Sequence, residues 1–488
     1  MLLFAMDNGR YKKIMEIWNS DSLEGFSSKF GIILGEGEDL PKQINELEII
    51  RDDNFGIHMI TRSHANDRPE RKQIPLGLVY RLDNSVAISG YVGSGTIRSY
   101  SQTNVSIKSL SPNQDTATTA TYNIAEIEYA NSDSEAIYTI DQIANLPDHY
   151  IWCDRSESKK SGEHEITFPG QPEINIKTYL PSNTSFTTAC ARFNFDEHAV
   201  IICSVKDSFI PLSNRPGYIY YSGHPDKATR EKIRTSLSFA FGLPLVYFGS
   251  KFFTEQGGVI GFEAVTPSTI GGRAWDIVSQ PFSPITSNGT NLLNSPLLQK
   301  MATGFYKNYE LLDLQKFIFR LWHAEVSPPY MKAAYYGAMI ETIQKREIER
   351  SNSKISHTIV EKAQYRRSIK VLTKYLQKQG IPTEAKDLFL KKIQNGNMAP
   401  QRTLAERFYS SLGLTLGVLE NGAWDKRNNA AHGNEELSVI ESIRSTKILR
   451  IILGRIVIKL TEGSEKYIDY YTFGHPVRDL REPIVESD

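Results

Sequence analysis

Cysteine is scarce: Cys153, Cys190 and Cys203 are the only three in 488 residues, and none forms a Cys-x-x-Cys pair. That spacing argues against a disulfide framework and against a thiolate zinc site. Long apolar runs are missing too. The richest stretch, Ile448 to Leu460, is interrupted by Arg450, Arg455 and Lys459. It falls short of the ~18–20 residues a membrane-spanning helix needs and reads as a buried core helix. Met1 to Met6 is apolar over too short a distance for a signal peptide, and no basic region precedes it. Metal-ligand spacings such as His-Glu-x-x-His are absent, and Asp196-Glu197-His198 would point to alternating sides of a strand. Gly93-Ser-Gly95 lacks the flanking helix and the lysine of a phosphate loop, which argues against ATP or GTP hydrolysis. The expectation is a cytoplasmic protein with no metal, no cofactor and no membrane association.

Neither sign of charge dominates, with 56 basic and 56 acidic side chains, yet the balance is uneven along the chain. Residues 1–299 carry 26 Lys and Arg against 34 Asp and Glu, and residues 300–488 carry 30 against 22. The basic excess concentrates between Thr342 and Arg402, with 14 basic and 5 acidic residues. Such a segment is either a solvated helix face or a surface for a polyanion, since phosphate contacts are largely electrostatic.

The length exceeds one ordinary hydrophobic core, so two or three domains are expected. With 40 % apolar and 23 % charged residues, the composition is that of a globular protein. Up to about residue 295 the pattern is mostly that of strands: Phe55–Ile60, Leu78–Leu82, Val86–Val92, Val105–Leu110, Tyr122–Tyr129, His198–Val205 and Gly217–Tyr221. These runs alternate or are β-branched, and Gly, Asn, Asp and Ser separate them. Lys227–Phe241 is the exception, a helix after Pro225-Asp226 with Gly242 as its stop. A softer boundary is expected near 153–172, and a linker from Pro281 to Pro296.

Beyond it the apolar period lengthens to about three and a half. Helices are expected over Tyr309–Val326, Met331–Ile343, His357–Gln379, Glu384–Ile393, Thr403–Glu420 and Glu435–Leu460. The fold class is therefore multidomain α+β: a strand-rich region over 1–295, an all-α bundle over 296–475 and a tail over 476–488.

Between the last two expected helices lies Arg427-Asn428, three residues, then His432. On a helix, Asn428 and His432 would share a face, and Arg427 would lie about 140° around from His432. Histidine titrates near neutral pH and suits proton transfer, and guanidinium matches phosphate oxygens while staying charged. An asparagine amide can orient the imidazole or hold a phosphate oxygen. The bare pattern of Arg, four to six residues, then His also occurs at Arg51–His58, Arg192–His198 and Arg350–His357. Only Arg427 is followed by asparagine and set between two apolar-faced helices near the chain end.

This signature resembles that of the HEPN superfamily, an Arg and a polar residue followed by His late in a small helical bundle. The resemblance implies metal-independent RNA cleavage by a homodimer with a composite site. The overall layout, with a strand-rich region ending in a helix such as Leu237 to Pro244, resembles the ApeA type of bacterial anti-phage protein. That implies an RNase that halts the infected host and an N-terminal region that senses a phage component.

Two further residues are singled out. Glu341 is either an acid supporting the motif arginine or an exposed helix-face glutamate, and Trp424 either stacks on a base or anchors the core. The expectation is an endoribonuclease with His432 transferring protons, Arg427 clamping phosphate and Asn428 orienting. The rival reading is a non-catalytic HEPN-like module that binds nucleic acid or a partner protein.

Overall fold

A computed structural model describes most of residues 31–64, 83–108, 117–146, 154–179, 189–204, 215–271, 295–350, 355–431 and 438–485, with a few isolated positions besides. Two compact units divide the chain, Met1–Tyr306 and Lys307–Asp488. The expected α+β layout holds at that level: a large antiparallel sheet in the N-terminal part and helices in the C-terminal part.

The first unit contains, in chain order, β1 (Ile33–Leu34), β2 (Glu46–Arg51), β3 (Ile57–His64), β4 (Ser85–Ser89), β5 (Ser94–Lys108), β6 (Ala117–Ala130) and β7 (Tyr138–Ala144). There follow β8 (Asp154–Arg155), β9 (Glu157–Lys160), β10 (Glu163–Phe168), β11 (Ile174–Tyr179), β12 (Ala189–Phe195), β13 (His198–Ser204) and β14 (Gly217–Ser222). Helix α1 (Lys227–Phe241), β15 (Val246–Phe253), β16 (Val259–Val265), α2 (Pro267–Gly271) and α3 (Ser295–Lys307) complete it. Thirteen of the strands form one sheet in the order β1-β4-β5-β6-β16-β15-β7-β14-β13-β12-β8, with β3 also paired to β6 and β2 to β3. Strands β9, β10 and β11 make a separate sheet.

Alternation drives the packing. In β3, Ile57 and Met59 turn into one apolar core with Ile97, Tyr122 and Ile127, while the residues between them are more exposed. A second core gathers Ile140, Ile201, Cys203, Tyr218 and Phe248. The expected strands fall on β3 to β6, β13 and β14, except Leu78–Leu82, which lies outside the described residues. Strands β1, β2, β7 to β12, β15 and β16 match none of the expected runs. Strand β7 is buried on both faces, so no solvent alternation marks it, and its sequence Tyr-Thr-Ile-Asp-Gln-Ile-Ala carries a buried Asp141.

That aspartate faces α1. The helix forms as its termini predict: the Asp226 carboxylate accepts from the Thr229 amide at 2.7 Å, and Gly242 closes the helix at φ 70°. Its inward face carries Arg230 and Arg234 beside Ile233 and Leu237. Arg234 donates to Asp141, which also accepts from Tyr221 at 2.8 Å and Ser250 at 2.6 Å. Arg230 places Nη2 at 2.8 and 2.9 Å from the two oxygens of Glu263, which Tyr247 also meets at 2.7 Å. The Arg234 guanidinium lies 3.9 Å from the centre of the Tyr247 ring. Burial pushes the phenols of Tyr221 and Tyr247 well above their usual range, so both stay neutral donors.

The second unit contains α4 (Leu314–Glu325), α5 (Pro329–Glu349), α6 (Lys362–Gln377), α7 (Thr383–Asn395), α8 (Gln401–Leu412), α9 (Val418–Ala431) and α10 (Val439–Leu460). A hairpin of β17 (Lys466–Ile468) and β18 (Val477–Asp479) follows. Two of the expected helices take a different form. Thr403–Glu420 is not continuous: α8 ends at Gly413, whose φ of 66° is left-handed, and a new helix begins at Val418. His357–Gln379 starts late, because residues 357–360 pair with 397–399. Ile359 donates to the Asn397 carbonyl at 2.9 Å, and Ala399 donates to that of His357 at 3.1 Å.

Ile448, Leu449, Ile452, Leu453 and Ile456 of α10 are buried, as the apolar stretch there suggests. Between them, the charge of Arg455 is met by Glu420 of α9, the Leu480 carbonyl and the Thr415 carbonyl. Residues 476–485 thus fold back onto the bundle, with Leu480 and Ile484 buried.

Candidate functional site: the end of helix α9

The motif segment is helical. Helix α9 opens at Val418 beside Gly417, whose amide donates to Glu420 at 2.6 Å, and runs to Ala431. Glu420, Ala423 and Arg427 are its buried residues with described side chains, spaced three and four apart on one face. The first is tied to Arg455 of α10, and the same face carries Arg427 inward two turns later.

Arg427 therefore sits differently from the sequence expectation of a polar inter-helix position. Its side chain is only 9 % exposed, and its Nη2 lies 2.8 Å from Glu341 Oε1 on α5. The guanidinium carbon stands 4.7 Å from the centre of the Trp424 ring, a cation–π arrangement one turn back on the same helix. The structure thus brings together three of the residues singled out in the sequence: Glu341, Trp424 and Arg427. Glu341 keeps 39 % of its side chain exposed, so the ion pair lies at an opening rather than in a sealed core. The backbone of Asn428 continues α9, but its side chain is outside the described residues, and so is His432.

Three contributors are not visible in the motif. Gly337 lies on α5 one turn before Glu341, and a Cβ there would come 1.9 Å from Arg427 Nε. A glycine inside an Ala-rich helix is the one sequence signal for this close approach. Tyr409 of α8 is buried in the same region. Burial raises its phenol well above the usual value, the Glu420 charge adds to this, and Arg455 and Arg427 oppose it. On the outer side, Lys426 meets Glu441 of α10 at 3.1 Å. Glu441 also completes a capping box with Ser438, and its carboxyl is held low first by the hydrogen bond from Lys426 and then by Ser438.

Of the other Arg-to-His patterns, those at Arg51 and Arg350 have structural occupations, whereas the Arg192 guanidinium nitrogens are buried with no hydrogen-bond partner among the described residues. Arg51 donates to the carbonyls of Phe55, Val265 and Phe248, and His58 lies between Asp52 and Asn123. Arg192 and His198 belong to the adjacent strands β12 and β13. Arg350 ends α5 and pairs with Glu347 at 3.0 Å, while the His357 carbonyl bonds to Ala399.

No helix among the described residues is long and apolar enough to cross a membrane. Set against protein-family models, curated proteins and solved structures, the chain matches none of them.

Proposed function

We propose that the helical unit is a metal-independent endoribonuclease of the HEPN type, and that the whole chain acts as a toxic effector in anti-phage defence. The observation that carries this is Arg427, fixed by Glu341, Gly337 and Trp424 at the end of α9, one residue before Asn428 and five before His432. A buried arginine head at a partly open ion pair is suited to charge stabilisation, because a low-dielectric setting strengthens its pull on a phosphorane oxygen.

In the proposed reaction His432 takes the proton from the 2′-OH, and the 2′-oxygen attacks the adjacent phosphorus. The bond to the 5′-oxygen breaks, and that oxygen receives a proton from an acid. The products are a 2′,3′-cyclic phosphate and a 5′-hydroxyl. One histidine cannot be base and acid at once, so a second His432 from a homodimer partner completes the site. Val439, Ile440 and Ile443, exposed apolar residues on the first turns of α10, support such a contact beside the motif. The sheet-rich unit is assigned the sensing of a phage component.

The test is cleavage of total RNA by full-length protein and by His432→Ala, with the product ends identified. Loss of cleavage in the variant and cyclic-phosphate ends in the wild type are expected, with no cleavage of a 2′-deoxy substrate. Full activity of His432→Ala would overturn the reading and leave a non-catalytic binding module in its place.

A further inference from the structure

Helices α6 and α7 form an arm. Beyond the pairing of 357–360 with 397–399 that closes its base, α6 runs for sixteen residues, about 24 Å, and not one of them is buried. The base is fastened by Arg407 of α8, which donates to the carbonyls of Ser356 at 2.6 Å and Thr358 at 2.8 Å. Tyr365 reaches across to the Ile393 carbonyl on α7. Ile369, Thr373 and Leu376, half-buried, follow Tyr365 along the face turned to α7.

The opposite face is unusual. Arg367, Lys370, Val371, Lys374, Tyr375 and Lys378 are all exposed and fall within an arc of roughly 140° at 3.6 residues per turn. Val371 is 69 % and Tyr375 61 % exposed, so two large apolar groups stand in water among four cations. Between Glu361 and Asn395 there are nine basic and three acidic residues, and none of the nine forms an ion pair among the described residues. A merely solvated helix face needs no exposed tyrosine and valine between its charges. A face of this kind matches a single-stranded nucleic acid, whose phosphates take the cations and whose bases lie on the aromatic ring.

We infer that the outer face of α6 is the surface that grips single-stranded RNA and delivers it to the end of α9. This rests on the reading of RNA as the substrate. The arm's root lies beside the site: Gln401, the first residue of α8, reaches Gln344 of α5 at 3.4 Å, one turn from Glu341. The stripe supplies affinity without base-specific contacts, since phosphate pairing and stacking are indifferent to sequence.

The experiment uses full-length protein carrying His432→Ala, so that RNA is bound and not cut, and a fluorescein-labelled 20-nucleotide oligouridylate read by anisotropy at several salt concentrations. The variant replaces Arg367, Lys370, Lys374 and Lys378 with Gln. A control replaces four exposed lysines elsewhere, Lys300, Lys307, Lys316 and Lys345, with Gln. The arm variant is expected to bind at least about tenfold more weakly, with a salt slope smaller by about 3, on the order of 0.7 per lost phosphate contact. The control should stay within about twofold of the parent. Tyr375→Ala, which removes no charge, is expected to weaken binding about tenfold. Equal RNA affinity of arm variant, control and Tyr375→Ala overturns the inference and leaves the stripe to a protein partner. Because binding is read without cleavage, a failed ribonuclease test does not decide this one, nor the reverse.

Discussion

The two units each enclose an arginine–carboxylate centre, and the centres are built in opposite ways. Beneath α1, Asp141 and Glu263 are saturated by Arg234, Arg230, Tyr221, Tyr247 and Ser250, all buried. At the end of α9, Arg427 is buried but its partner Glu341 is partly in water. A closed network holds its charges in place and offers no path for a ligand. An open one keeps a desolvated cation next to an approach route. Burial of charge alone therefore does not single out a candidate centre, and what distinguishes the pair at the end of α9 is that one member is buried while the other reaches water.

The strongest contrast is expected from His432→Ala, with a loss of about 10²–10⁴-fold in cleavage rate, the usual contribution of a positioned acid–base group. Its thermal unfolding midpoint should be unchanged. A parallel loss of stability would mean that the residue is architectural and would erase the distinction between the two centres.

The closed centre should answer in the opposite currency. Asp141→Ala leaves Arg234 buried without its carboxylate and is expected to cost about 3–5 kcal/mol in chemical denaturation. Cleavage per folded molecule should be unaffected. A loss of cleavage in protein that is still fully folded would show that the sheet-rich unit carries a functional charge of its own.

Gly337→Ala sharpens the comparison without removing any charge. The new methyl would meet the far end of a flexible side chain, which can move aside at little cost to stability. Alanine also favours a helix interior over glycine by about 1 kcal/mol. The guanidinium, however, must shift, and a displacement of about 1 Å near a reacting group can cost roughly 10²-fold in rate. Unfolding at an unchanged or higher temperature together with reduced cleavage is the expected pair of results. Full cleavage would detach the arginine's position from activity.

The smallest effect is expected at the edge of the closed centre. Asp226→Ala removes the cap of α1 and should cost about 1 kcal/mol. The Asp226 carboxyl is held below its usual range by the hydrogen bond from the Thr229 amide, then by the Thr229 side chain. A lowered folded-state value means that this stabilisation is present above the unfolded carboxylate pKa and fades as pH falls through the folded one. The stability difference between wild type and variant should therefore shrink under acid conditions. A difference independent of pH would remove the ionised cap from the account.

Local signals in the sequence were readable and distant ones were not. Helix α1 matches its expected limits because Asp226 and Gly242 act within one turn of its ends. Strand β7 escaped because its buried Asp141 is satisfied by Arg234 of α1, about ninety residues further along, and by Tyr221 of β14, and no amount of alternation could reveal that. In the helical unit, the spacing of Arg427, Asn428 and His432 was visible, and so was the division between strands and helices. The burial of Arg427 was not, since it depends on Gly337 and Glu341 lying on another helix. Similarly, the break at Gly413 hides inside a continuous apolar pattern, because a single left-handed residue changes the chain direction without changing the composition.

The exposed pair of Lys426 and Glu441 contributes little to stability by itself, as surface ion pairs generally do. Its placement gives it another consequence. Ala431 closes α9 and Ser438 caps α10, so the six residues between them, His432 first, have both ends anchored to helices that this pair draws together. The closure entropy of a segment tethered at both ends is thereby limited by the separation of the two helix ends. On the proposed ribonuclease reading, holding the two ends together would raise the effective molarity of His432 at the scissile phosphate. Salt screens such an exposed pair within a Debye length of about 10 Å at 0.1 M. Ionic strength would then tune how tightly the two helix ends are held, quite apart from its effect on the proposed RNA binding.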